Sequence, residues 1–257
     1  MCLIAIAWRH HPHIGLAVCA NRDEFYQRPS APAHAWPDKP NIFAGRDLEQ
    51  GGTWMGISRA GRFAALTNIR DPGHQKSDAR SRGELVTGFL NATDSATLYA
   101  RNLLDAASDY NGFNLLLCDG QQLVYVNNYQ QQVELLEPGI HVLSNAFLNT
   151  PWPKTESARE RLVDWMRSPS SPASLASLLD QRSPAPDHDL PHTGVSAELE
   201  KGLSPQFIEL GHYGTRCSTG LLVDADGVAH FHETSFEFGV ASGEVNHSVT
   251  AFWPRAG

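Results

Sequence analysis

Directly behind Met1, Cys2 opens an apolar run, Cys2-Leu3-Ile4-Ala5-Ile6-Ala7-Trp8. Methionine removal is sterically easiest when the second side chain is small, so processing would leave Cys2 at the N-terminus. One residue would then hold a thiol nucleophile and an α-amine, whose reference pKa of ~7.7–8.0 suits a proton acceptor at neutral pH. Nucleophiles activated by their own N-terminal amine are a known catalytic design. The alternative is structural, a small buried residue of a first strand, and position alone leaves both open. A second polar cluster, Asn21-Arg22-Asp23-Glu24, follows the next apolar run. Taken by itself it reads as a solvated turn or as an Arg22–Asp23 ion pair tying a hairpin to its sheet. The histidines of His230-Phe231-His232-Glu233 share one face of a strand, a weak metal-ligand spacing that reads as a solvated strand face rather than a metal site.

These residues need elements to hold them. Residues 2 to 8 and 14 to 20 are β-friendly runs separated by His10-His11-Pro12-His13, which reads as a hairpin. The Pro-rich stretch from Arg28 to Pro40 has no periodicity and is expected to be an ordered loop. Residues 53 to 58 and 62 to 68 form a second strand pair ending on Asn68. Both pairs deliver polar residues at a strand end, where functional groups are often carried. Ser81-Arg82-Gly83-Glu84 has capping-box spacing ahead of a helical pattern, and another helix is expected from Ser95 to Ala107. Strands follow at Phe113 to Cys118, Gln122 to Asn127, Val133 to Leu136 and Ile140 to Ser144, the last closing on Asn145. Thr150-Pro151-Trp152-Pro153-Lys154 delays the next helix until Thr155, and the Ser/Pro-rich segments 168 to 174 and 183 to 193 read as loops. Strands near Ser218 to Val223 and Val228 to Glu233 turn at Asp226-Gly227. Strands at both ends with helices grouped between them imply an α+β layer protein.

Composition narrows the function. The 257 residues fit one domain over 1–257 and are 41% hydrophobic, ordinary for a globular chain. No apolar run approaches the roughly 18 residues that span a bilayer, and the opening lacks a cationic n-region, so no secretory signal is expected. A net charge of −8 without a basic stripe argues against nucleic acid. Four cysteines without a C-x-x-C pair argue against a zinc ribbon or disulfide scaffold and fit a cytoplasmic protein. No dinucleotide or P-loop glycine motif is present.

The set Met1-Cys2, Asn21-Arg22-Asp23-Glu24, Gly52-Thr53-Trp54-Met55-Gly56, Leu66-Thr67-Asn68-Ile69-Arg70, Ser81-Arg82-Gly83-Glu84-Leu85, Leu143-Ser144-Asn145-Ala146, Thr150-Pro151-Trp152-Pro153-Lys154 and Thr215-Arg216-Cys217-Ser218-Thr219 resembles the NRDE family. This family is also called the transport-and-Golgi-organisation family, and the motifs cover nearly the whole chain in order. It in turn looks like the N-terminal-nucleophile (Ntn) hydrolases of the choloylglycine hydrolase and penicillin V acylase type. That resemblance implies a four-layer αββα sandwich and a small-molecule amide or acyl substrate. Carried over, Cys2 would be the nucleophile and its amine the base. Asp23 would hold the amine, Arg22 or Arg216 would stabilise the thiolate, and Asn145 with Asn68 would donate to the oxyanion. Hydrolysis would need no cofactor. Asn68 and Asn145 could instead satisfy backbone groups, and Arg216 could be an exposed edge residue. Cys217 departs from the serine usual there. The resemblance also carries a second implication, a non-catalytic carrier of haem or of a lipid such as an acyl-CoA; haem iron takes His or Cys ligands, but no diagnostic haem motif is present.

Overall fold

A computed structural model of the chain describes residues 2–250 and 252–253; Met1, whose removal the sequence raises, lies outside them. In chain order the strands are β1 (Cys2–His11), β2 (Ile14–Phe25), β3 (Ser30–Ala35), β4 (Ile42–Asp47), β5 (Met55–Ser58) and β6 (Arg62–Asn68), then β7 (Phe113–Cys118), β8 (Leu123–Asn127), β9 (Gln132–Leu135) and β10 (Gly139–Leu143), and finally β11 (Glu209–Leu210), β12 (Tyr213–Asp224), β13 (Ala229–Glu237) and β14 (Val240–Val249). Helices α1 (Gly83–Asn91) and α2 (Ala96–Leu104) interrupt the middle group, and α3 (Pro153–Arg167), α4 (Pro172–Ala176) and α5 (Ala197–Gly202) separate β10 from β11.

Two antiparallel sheets result. One runs β10-β1-β2-β12-β13-β14, with β11 added beside β12; the other is the meander β3 to β9 in sequence order. The period-two alternation of strands explains the layering. Ile4, Ile6 and Trp8 of β1 pack between the sheets against Ile57, Phe63 and Leu116, while Leu3, Ala5 and Ala7 face outward onto Ala158, Leu162 and Trp165 of α3. On the other side Leu85, Val86, Phe89 and Leu90 of α1 cover Ala64, Leu66 and Leu115. Helix, sheet, sheet and helix therefore stack as a four-layer αββα sandwich of the α+β class. Strands buried on both faces read as continuous apolar runs, and each buried Leu, Ile or Phe contributes about 1.5–3 kcal/mol. Gly220 lets α4 lie close on β12, since a Cβ there would strike the Pro172 carbonyl.

Several sequence expectations change. The Pro-rich stretch contains β3, an edge strand paired only with β4, and a register shift between Ala31 and His34 spans Pro32, which has no N–H for a regular ladder. Strand β14 is exposed over its first half and turns only Val245, His247 and Val249 part-way inward, which leaves a weak apolar signal for a strand. The expected capping box is absent: Arg82 is the N-cap of α1 without a side-chain bond, and Glu84 instead accepts from the Tyr110 hydroxyl and pairs with Arg80. A capping box forms at Ser171 and Ser174. Helix α3 starts at Pro153 rather than Thr155, because proline suits the first helical turn. His230 faces Ser248 and Asp224, and His232 faces Asn246 and Thr234. Among the described residues no group of three His, Cys, Asp or Glu is placed to hold a metal ion. Nor, among those residues, is any helix long and apolar enough to cross a membrane.

Candidate active site

Register builds the site. Cys2 lies opposite Arg22, and Arg22 lies opposite Cys217, so β1, β2 and β12 present the three side chains in one row on the inner face. Arg22 is 5% exposed. Its guanidinium stacks 4.2 Å from the Trp54 ring centroid, and Nη1 lies 3.4 Å from Ser30 Oγ. Trp54 reaches this position because Gly45 has no Cβ to strike its ring. Alternation turns Asn21 and Asp23 the other way. Asn21 donates to the carbonyls of Leu179 and Gln206 at 2.8 and 2.9 Å and accepts from Ser218, tying the sheet to the helical layer. Asp23 is buried; its Oδ1 accepts from the Thr215 hydroxyl at 2.8 Å, and its carbonyl from the Tyr213 hydroxyl at 2.8 Å.

The open ends of the two sheets enclose a polar cavity of about 300 Å³, lined by Cys2, Arg22, Asp23, Glu24, Asn68 and Arg82 among others. Beside it lies a mainly apolar cavity of about 750 Å³, walled by Phe25, Ile69, Pro72, Val195, Leu199, Leu203, Leu210 and Tyr213. Glu24, Asn68 and Arg82 line both. Four of the six residues singled out from sequence, Cys2, Arg22, Asp23 and Asn68, therefore meet at one cavity, and two do not. Asn145 sits behind Asn68: its Nδ2 donates to the Asn68 carbonyl at 2.9 Å, and its own carbonyl accepts the Arg70 N–H at 2.8 Å. Ser144 donates to the Cys2 carbonyl at 3.1 Å, so this pair fixes the backbone of both cavity residues. Arg216 is the extra residue of a bulge between Thr215 and Cys217. A bulge re-aims its side chain, and here the guanidinium caps the carbonyls of Phe25, Tyr26 and Arg28, outside the Cys2 cavity. Of the two cations offered for the thiolate, Arg22 is the one opposite Cys2.

Burial sets the electrostatics. It raises the pKa of the half-buried Cys2 thiol, aided by the Asp23 carboxylate; Arg22 and the Asp23 main-chain N–H pull the other way. Burial also raises Asp23, against the Lys154 ammonium, the Thr215 hydrogen bond and Arg22. Lys154 was not singled out from the sequence. It is 4% exposed, donates to the Leu203 carbonyl at 3.0 Å, and is lowered to about 8 by burial and by Arg70, with Asp23 and Cys2 opposing. The signal was available: a lysine in the first turn of a helix opposes the macrodipole and needs a reason to be there. Arg70 and Glu200 close the cluster with a buried pair at 2.6 Å.

The Transport and Golgi organisation 2 family model matches residues 1–237. The chain belongs to that family. It is 38% identical over 239 residues to a human Transport and Golgi organization protein 2 homolog, covering 86% of each. It is 26% identical over 265 residues to the Drosophila melanogaster Transport and Golgi organization protein 2, covering 91% of each. The NRDE tetrad of the family is Asn21 to Glu24 here. Among solved structures, a Caenorhabditis elegans N-acylethanolamine-hydrolyzing acid amidase ortholog aligns with a TM-score of 0.42 and 8% identity, covering 86% of this chain and 92% of that one. A mutant conjugated bile acid hydrolase from Clostridium perfringens aligns with a TM-score of 0.42 and 8% identity, over 97% of this chain and 92% of that one.

Proposed function

We propose that this family member is a cysteine-dependent amidohydrolase or acyl-transfer enzyme that uses Cys2 after removal of Met1. The observation that supports this reading is the placement of the Cys2 thiol on a polar cavity, with Arg22 directly opposite, the Asp23 N–H at the sulfur and the Asp23 carboxylate behind. The freed α-amine takes the thiol proton, the sulfur attacks the substrate carbonyl carbon, and the C–N bond breaks as the amine leaves with that proton. Water then adds to the thioester, releasing a carboxylic acid and restoring the thiol. The Asn68 amide is the oxyanion donor in this reading, held in place by Asn145. The test is intact mass after treatment with an electrophilic acyl probe. One acyl adduct on Cys2 is expected, and none in Cys2→Ala. Met1 retained on protein that turns over substrate would refute the amine-base route.

One observation favours a second reading. Burial raises the Cys2 thiol, which suits a protonated, unreactive group, and the paired polar and apolar cavities suit an amphiphile such as a lipid that is carried rather than cleaved. Neither cavity is lined by a histidine among the described residues, so haem iron there would have to be held by the Cys2 sulfur or the Tyr213 oxygen. A Soret band that shifts on binding and is altered in Cys2→Ala or in Tyr213→Phe is the expected sign of haem.

A further inference from the structure

Charge around the Cys2 cavity is unevenly matched. Arg28 lies 2.7 Å from Asp47, and Arg80 lies 2.6 Å from Glu84. Arg22 and Arg82, by contrast, form no ion pair among the described residues. Arg22 is held by the Trp54 ring and Ser30; Arg82 donates through Nη1 to the Gly112 carbonyl at 3.0 Å and sits on the wall common to both cavities. The carboxylates nearby are engaged differently, with Glu24 accepting the Phe25 N–H and Asp23 the Thr215 hydroxyl. The carboxylates of Asp23 and Glu233 act on Arg22, and that of Glu24 on Arg82, without closing an ion pair, so of the five donors on each guanidinium several stay unengaged, and holding them partly out of water is unfavourable. An oxyanion with charge-assisted bonds to both would offset that penalty.

We infer that the substrate of this site carries an anionic group, carboxylate or phosphate, held between Arg22 and Arg82 beside Cys2, with its apolar part in the adjoining cavity. This rests on the reading of Cys2 as the reactive residue, and it adds Arg82 as a specificity-determining residue. Arg82 reads the anion from the wall where the two cavities meet, so an anionic substrate and its neutral isostere are told apart at the junction rather than in the apolar chamber. Asn68, on the same wall, then lies between the anion and the apolar part.

The test needs only an accessible thiol. Iodoacetate and iodoacetamide are a matched anionic and neutral pair, and their rates at Cys2 are followed by peptide mass spectrometry and compared with those of N-acetylcysteine amide. Local positive potential should raise the iodoacetate-to-iodoacetamide ratio at Cys2 over the free thiol on the order of tenfold. Added salt should lower it in the unaltered protein, Arg82→Gln should bring it near the free-thiol value, and Arg82→Lys should keep part of it. Protection of Cys2 by inorganic phosphate identifies a phosphate, and protection by N-acetylglycine a carboxylate. A ratio equal to that of the free thiol and indifferent to salt overturns the inference even if Arg82→Gln does not fold, and so does a thiol that neither reagent reaches. A raised ratio in protein without amidase activity upholds the anion site while refuting hydrolysis; amidase activity with a free-thiol ratio does the reverse.

Discussion

Replacing Lys154 by Met should flatten part of the pH dependence of stability. The group titrates at about 8 in the fold against an ordinary 10.5. Between these values the unfolded chain binds a proton that the folded chain does not, so stability rises with pH through that window. Above it Lys154 is neutral in both states. As pH falls through the folded value the penalty for burying the ammonium becomes complete. A shift of 2.5 units, 10.5 less 8, corresponds to about 3.4 kcal/mol, of which roughly 2.5 kcal/mol falls between about pH 7 and pH 10. Lys154 is 4% exposed, so solvent screening takes little from this figure. Urea unfolding of both proteins across that range is the assay. Wild-type stability should gain about 2.5 kcal/mol on Lys154→Met between the two ends. The absolute offset also includes the Leu203 carbonyl left without its donor, about 1–3 kcal/mol, but that cost does not change with pH. A difference between the two proteins that stays constant over the range would refute a buried, depressed lysine.

Other perturbations follow from the same geometry. Arg70→Met leaves the buried Glu200 carboxylate without its cation and should cost about 3–5 kcal/mol in chemical unfolding, mostly recovered in Arg70→Met/Glu200→Leu; a single variant as stable as the parent would contradict the pairing. Gly45→Ala places a methyl group against the Trp54 ring and should cost about 1–3 kcal/mol by overpacking, with a change in tryptophan fluorescence; unaltered stability and spectrum would show that the ring is not confined there. Burial holds the Cys19 and Cys118 thiols at about 12 and pushes Cys217 well up. An aromatic disulfide reagent at about pH 8 should therefore reach Cys2 alone among the four in native protein. Labelling that persists in Cys2→Ala would contradict the burial of the others.

What could be read from sequence depended on how many layers a segment packs against. Strands β7, β8 and β10, buried or flanked by clear turn residues, were legible within a residue or two, as was the Asp226-Gly227 turn. Strands β3 and β14 were not, because an edge strand needs no apolar alternation. The candidate site divided in a similar way. Cys2 opens the first strand, and Arg22, Asp23 and Asn68 stand near strand ends in plain polar clusters; pairing of β1 with β2 and the stacking of the two sheets bring them together. Asn145 and Arg216 share that signature, yet one backs Asn68 and the other is turned outward by one inserted residue, which a linear pattern does not express. Lys154 carried one local signal, its place in a first helical turn, but the groups that act on it, the Leu203 carbonyl and Arg70, Asp23, Cys2 and Glu200, are all distant in sequence.

The hydrogen bond from Thr215 to Asp23 joins residues 192 positions apart, and this separation imposes an order of events in time. At about 5–20 residues per second, synthesis reaches β12 roughly 10–40 s after β2 has been made. Through that interval β2 has no partner on its β12 side, and Asp23 lacks its fixing hydroxyl. A ribosome-bound or truncated chain thus carries every residue that lines the Cys2 cavity, none later than Asn111, before the strand that fixes Asp23 exists. If Cys2 is the nucleophile proposed above, trimming of Met1 has its opening in those seconds, while a fixed Asp23 waits for β12 to arrive.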